Sequence, residues 1–257
     1  MASNGNIGQM NWGAVSDKGM KRPNNQDYQV VLVDAYSLPG TDALLAVADG
    51  MGGHKAGEIA SASAILGLVS RLRSEFNDGI ASRAAKDYRD LLEEVILEVN
   101  ADVFRASVEP ETRGMGTTLT AAIIDGDTVS IGHVGDSRAY LLRNENLRQL
   151  TNDHSLAAEA VSRGFLTDEQ VETHFGRNVL MRAIGTAPTV EVDTMLVPVE
   201  TGDVILLCSD GLHGLVPPHE IADALNQKDL LEACWQLVER ANELGGHDNV
   251  TAIAARR

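Results

Sequence analysis

Aromatic side chains make up only 4% of this 257-residue chain, and cysteine occurs twice, at Cys208 and Cys234. Two thiols give no disulfide framework for a small loop-rich scaffold. Each lies in an apolar segment and reads as a small core residue. Basic residues are scarce as well, 21 Lys and Arg against 37 Asp and Glu, for a formal net charge of −16. Such a surface repels nucleic acid and anionic membranes, so neither is expected as a partner. An anionic substrate would need cations to bind. The sequence has no run of 18 apolar residues, and its first ten residues lack the basic flank and apolar stretch of a signal peptide. A cytoplasmic protein is therefore expected. Linkers, repeats and low-complexity tracts are missing too, and 44% hydrophobic residues suffice for one full core. Residues 1–10 read as a loose leader and residues 11–257 as a single domain.

What is present is organised around Leu44 to His54, L-L-A-V-A-D-G-M-G-G-H. An unbroken apolar run suited to a strand buried on both faces stops at Asp49 and a cluster of glycines. A carboxylate leaving a buried strand must meet solvent, a cation or hydrogen-bond donors. The same construction recurs where Val204–Ser209 runs into Asp210-Gly211. Asp136 closes the alternating segment Thr128–Gly135, and Asp248-Asn249 opens the last apolar segment. Singly, each pair is ordinary turn chemistry. Together, four acids at strand ends offer the oxygen-only ligands of a hard divalent cation, Mg²⁺ or Mn²⁺ rather than zinc.

In chain order, Asn11–Ser16 reads as a first strand and Tyr28–Val33 as a second, joined by a polar loop holding Arg22 and Asp27. His54 to about Leu72 reads as a helix rich in small residues. Lys86–Ala106 has Leu91, Leu92, Val95, Val99 and Val103 at helical spacing, so one face should be buried. Three β segments follow, with hairpin turns expected at Asp125-Gly126 and Asn144-Glu145-Asn146. Ser155 should cap a short helix ending at Gly164, and Thr167 with Gln170 another. This polar insert reads as a flap. Strands at Val190–Val197 and Asp203–Ser209, helices at Glu220–Asn226 and from Asp229 to about Leu244, and a last strand Val250–Ala255 complete the pattern. Strands in runs with paired helices argue for an α+β sandwich rather than a doubly wound sheet.

Several separated motifs resemble the metal-dependent serine/threonine protein phosphatases, the protein phosphatase 2C family in its compact bacterial form. They are R-P-N-N-Q-D (22–27), A-D-G-M-G-G-H (48–54), G-M-G-T-T (114–118), V-G-D-S-R (134–138), T-N-D-H-S (151–155), R-N-V-L-M-R-A-I-G (177–185), S-D-G-L (209–212) and H-D-N-V-T (247–251). The resemblance covers about Gly13 to Ala254. It implies a four-layer α-β-β-α sandwich, two antiparallel sheets flanked by helix pairs, with residues 11–257 as the catalytic domain and a flap at about 156–177. It further implies that Asp49 bridges two Mn²⁺ or Mg²⁺ ions, that Asp210 and Asp248 complete the first site, and that the Gly50 carbonyl helps hold the second. Asp136 would share a weaker third ion with Asp210, Arg22 would clamp the substrate phosphate, and Asp27 would hold water on the metals. His54 resembles a histidine near the phosphate; capping of the glycine turn is its other reading. The family often carries Glu where Gln26 stands, so the second ion should be held more weakly and millimolar metal needed.

The implied reaction is attack of a metal-bridging hydroxide on phosphoserine or phosphothreonine, countering a Ser/Thr kinase, by a monomer whose partners are phosphoproteins. Two rivals stand beside it. Cys234 and Arg240 match C-x5-R, but within a helical apolar pattern without the glycines of a phosphate-cradling loop. A catalytically weak phosphoprotein-binding module of the same fold is the other, and the intact acid set argues against it.

Overall fold

The computed structural model describes residues 2–6, 10–33, 36–52, 55–77, 86–167, 176 and 179–257. One sheet runs in the order β1 (Ala2–Asn6), β2 (Asn11–Asp17), β12 (Val250–Arg256), β11 (Val204–Cys208), β8 (Arg138–Arg143) and β9 (Asn146–Gln149). The other runs β10 (Asp193–Pro198), β7 (Thr128–Val134), β6 (Leu119–Asp125), β4 (Ala43–Met51) and β3 (Asp27–Val33), with the short β5 (Gly116–Thr117) on the end of β4. All these pairings are antiparallel.

Side-chain alternation explains the layering. In β4, Leu44, Ala46 and Ala48 pack with α1 (Ala56–Asn77) and α2 (Arg89–Ser107), while Ala43, Leu45 and Val47 share a cluster with Ile205, Leu207 and Ile253 of the opposite sheet. A strand clothed on both faces must be apolar throughout, which is why its sequence does not alternate. On the far side, Leu206, Cys208, Ala252 and Ala254 pack against α5 (Pro218–Leu225) and α6 (Leu230–Glu243). The result is the expected order of helices, sheet, sheet, helices. Fully buried Leu92 of α2 lies over Gly132 of β7, where an added Cβ would come within 3.1 Å of the Leu92 Cβ. Leu92→Ala should cost about 2–5 kcal/mol of unfolding free energy, read from urea denaturation.

Local signals set most element ends. Asp229 caps α6, its side chain accepting from the N–H groups of Leu231 and Glu232, and Ser155 caps α3 (Leu156–Ser162), accepting from Ala158 N–H. Gly164 follows α3 with φ of 75°, the left-handed conformation that closes helices. Asn144 and Glu145 both take positive φ, as the two-residue loop between β8 and β9 requires. Three expectations need correction or fall outside. The supposed loose leader contributes β1, which pairs with β2 in register from Ala2–Val15 to Asn6–Asn11, because an edge strand needs only free backbone groups to extend a sheet. The helix expected beyond Thr167, and His54, lie outside the described residues. Among the described residues no helix is long and apolar enough to cross a membrane.

Candidate metal and phosphate site

Antiparallel pairing brings the ends of distant segments to one edge. Asp27 at the start of β3 stands in register with Asp49 near the end of β4. In the other sheet, Arg138 at the start of β8 pairs with Cys208 at the end of β11, and Cys208 pairs with Ala252 of β12. Asp136, Asp210 and Asp248 flank those strand ends, so the acids expected to meet do meet.

Each is held by backbone and hydroxyl contacts. Asp49 N–H donates to Thr118 Oγ1 (2.9 Å), and its carbonyl accepts from Thr118 N–H (2.9 Å) and Thr117 Oγ1 (2.9 Å). Gly50 N–H donates to the Gln26 carbonyl (3.1 Å), and a Cβ at Gly50 would lie 2.1 Å from the Gly57 carbonyl oxygen. Only glycine lets β4 pass that close to the start of α1. Gln26 turns its side-chain amide toward the same place, its Nε2 lying where a Gly57 Cβ would approach to 2.4 Å. Asp27 Oδ2 accepts from Ser209 Oγ (2.7 Å) and Thr251 Oγ1 (2.6 Å). Asp210 begins the four-residue helix α4 (Asp210–His213), which the sequence reading did not anticipate. Its last residue, His213, meets the Asp136 carbonyl through Nε2 at 2.9 Å. Arg22, half exposed, donates to Asp248 Oδ2 at 2.6 Å.

The electrostatics point to a missing positive partner. Burial first, then the charges of Asp27, Asp210, Asp136 and Asp248, pushes Asp49 well above the usual carboxylate range. Burial with Asp210 and Asp153 raises Asp136 to about 8. Burial raises Asp27 to about 7 against the opposing hydroxyl bonds, and burial with Asp248 raises Asp210 to about 6. Arg22, which acts on Asp210, and Arg138, which acts on Asp136, do not offset the burial and the like charges. Two oxygens, Asp27 Oδ1 and Asp210 Oδ1, are buried with no hydrogen-bond partner. Hard oxygen donors left unsatisfied beside like charges fit Mg²⁺ or Mn²⁺. Among the described residues no three acids enclose an ion by themselves, so a bound cation would draw on backbone carbonyls and water as well.

The edge is open. Two surface concavities of about 410 and 320 Å³ lie elsewhere, over the β8–β9 hairpin and between α5 and α6. Cys234 is buried in α6, its thiol pushed up to about 12 by burial, with Sγ donating to the Gly13 carbonyl at 3.4 Å. That excludes a cysteine nucleophile there.

Sequence reasoning named the acids but gave no role to Thr118, Ser209, Thr251, His213 or Asn249. All but His213, which directly follows S-D-G-L, lie within motifs it quoted, and small polar residues beside strand-end acids were the available signal.

The family profile described as Protein phosphatase 2C matches residues 21–250. The chain is 42% identical over 244 residues to the serine/threonine phosphatase stp of Listeria monocytogenes, covering 94% of each. It is 37% identical to protein phosphatase PhpP of Streptococcus pneumoniae, covering 92% of this chain and 93% of that one. Among solved structures, a serine/threonine phosphatase of S. agalactiae superposes with a TM-score of 0.86 at 34% identity, over 96% of this chain and 99% of that chain. The catalytic domain of PstP, determined with two manganese ions, gives 0.80 at 35% identity, over 96% and 97%. With the acid cluster at the same sheet edge as the matched motifs, the chain belongs to the protein phosphatase 2C family and is a phosphoprotein phosphatase.

Proposed function

We propose that the chain is a monomeric, cytoplasmic phosphatase that removes phosphate from serine and threonine side chains of proteins, opposing a Ser/Thr kinase. The observation that carries this is the convergence of Asp49, Asp210, Asp248 and Asp136 beside Arg22 on an open edge. A phosphorylated side chain projecting from a protein reaches such an edge, whereas a free metabolite is better held by an enclosed pocket. Asp49, Asp210, Asp248 and the Gly50 carbonyl would hold two cations, with Asp136 and Asp210 offering a weaker third position. Bound there, Mn²⁺ or Mg²⁺ supplies a nucleophile from water near neutral pH and neutralises phosphate charge.

The chain's own groups do the rest. Arg22 turns its fork from Asp248 to the non-bridging phosphate oxygens and orients phosphorus for in-line attack. Asp27, fixed by Ser209 and Thr251, leaves Oδ1 free to accept a proton from water at the site. No protein nucleophile enters the reaction. Gln26 offers an amide in place of a charged ligand, so activity should need millimolar metal.

Hydrolysis of p-nitrophenyl phosphate by the purified protein tests the proposal. Activity is expected with Mn²⁺ or Mg²⁺, with none in excess chelator. A folded protein inactive across both metals would favour a phosphoprotein-binding module instead.

A further inference from the structure

Asn249, buried immediately before β12, commits its whole side-chain amide to one loop. Its Oδ1 accepts from Gln26 N–H at 2.8 Å, while Nδ2 donates to the Lys18 carbonyl at 2.9 Å and the Asn24 carbonyl at 2.8 Å. Both amide protons are used, and one carbonyl lone pair. The three partners bracket Arg22: Lys18 precedes it by four residues, and Asn24 and Gln26 follow. Between them the chain has neither helix nor strand. Met20 N–H and Lys21 N–H donate to the Gly246 carbonyl (2.9 and 3.2 Å) on the N-terminal side of Arg22, and on the other side the Gln26 carbonyl accepts from Gly50 N–H (3.1 Å) and Ser61 Oγ (2.6 Å).

The same residue reaches the other end of the Arg22 contact. Asn249 N–H donates to Asp248 Oδ1 at 2.8 Å, leaving Oδ2 to accept from Arg22 at 2.6 Å. One residue thus fixes the loop that carries the guanidinium and the carboxylate on which it rests. We propose that Asn249 is a positioning residue for phosphate binding, its side-chain amide aiming Arg22 and its backbone N–H orienting Asp248. The inference rests on the reading of Arg22 as the phosphate clamp. Its chemical signature is sharp: only a group with two donors and an acceptor at that distance serves all three partners, so the nearly isosteric Asp would keep the Gln26 bond and turn an anionic oxygen on two carbonyls.

The test compares Asn249→Ser, Asn249→Asp, Arg22→Ala and each double variant in p-nitrophenyl phosphate hydrolysis at saturating Mn²⁺. Inhibition by inorganic phosphate and Mn²⁺ affinity by calorimetry are read alongside. Each Asn249 variant is expected to raise KM and the phosphate inhibition constant about tenfold, the consequence of lost hydrogen bonds to a charged clamp. Mn²⁺ affinity should stay within about threefold of wild type, because the acids and the backbone N–H bond that orients Asp248 remain. In the Arg22→Ala background the Asn249 substitutions should add less than about twofold, since residues acting through one group are not additive. Full additivity, or Mn²⁺ affinity falling in step with phosphate affinity, overturns the inference and leaves the clamp reading standing. Phosphate affinity unchanged in Arg22→Ala alone overturns the clamp reading and the inference with it. Should one Asn249 variant fail to melt cooperatively, the other carries the same comparison.

Discussion

Replacing Asp210 by alanine should lower kcat for p-nitrophenyl phosphate by at least about 10³, the scale seen when a group that stabilises developing charge is removed. Cys234→Ser should leave kcat within about twofold. Asp210 stands where β11 ends and α4 begins, in hydrogen-bonding reach of Asp49, and its Oδ1 is buried without a partner. No neighbouring side chain duplicates that oxygen, so its loss would remove a ligand from the first ion and from the weaker third position together. Misfolding is a poor rival explanation, because Asp210 is raised by burial and by Asp248; deleting it relieves repulsion in the metal-free protein. The melting temperature of Asp210→Ala in chelator should therefore equal or exceed that of wild type. If kcat survives the substitution, or if activity is lost only together with cooperative melting, the assignment of Asp210 as a metal ligand fails.

Most of the layering was legible because both sources of the signal are local. The doubly buried run at Leu44–Ala48, the helical spacing through Val95 and Val99, and the caps at Ser155 and Asp229 all state their environment within a few residues. Strand β1 was not legible. Its sequence, Ala-Ser-Asn-Gly-Asn, has no apolar alternation, and an edge pairing made through backbone groups leaves no mark in side-chain pattern. Helix α4 escaped for a related reason: four residues after a strand are too few for a period. At the site, the acids were readable as strand-end carboxylates, yet their convergence depended on antiparallel register between separate segments, such as Asp27 with Asp49 and Arg138 with Cys208, in two stacked sheets. The supports were the hardest to read. Asn249 looked like the second half of an Asp-Asn turn, and only the fold reveals that its amide spans three partners of a distant loop.

In chelator, raising the pH from about 7 to 9 should lower the melting temperature by roughly 5 °C, given about 2–4 °C per kcal/mol for a chain of this size. The sign follows from the acids. A carboxylate raised in the folded state contributes stability that is complete below its unfolded value near 4 and is lost as pH climbs through its folded value. Asp27 at about 7 and Asp136 at about 8 place the end of that loss in this interval, whereas for Asp210 at about 6 it is nearly complete before it. The buried histidines work in the opposite direction but at lower pH. His133 and His213 are each held down to about 4 by burial, so their stabilising effect is present above about 6.5 and is lost only as acid is added. Asp153, lowered through its bonds with Arg138 despite its burial, likewise loses its contribution only toward its folded value, well below 7. Between pH 7 and 9 the acid cluster is thus left as the dominant source of slope. Two manipulations should flatten it. Saturating Mn²⁺ would supply the positive charge the acids lack and stabilise the folded protein by mass action, with the larger gain at pH 9. Asp136→Asn would remove the carboxylate raised to about 8 and flatten the slope in chelator, while raising the melting temperature at pH 9. Differential scanning calorimetry at the two pH values, with chelator and with Mn²⁺, measures all of these together. A slope equal in chelator and in Mn²⁺, or unchanged by Asp136→Asn, would mean that these carboxylates are not held against one another at the sheet edge.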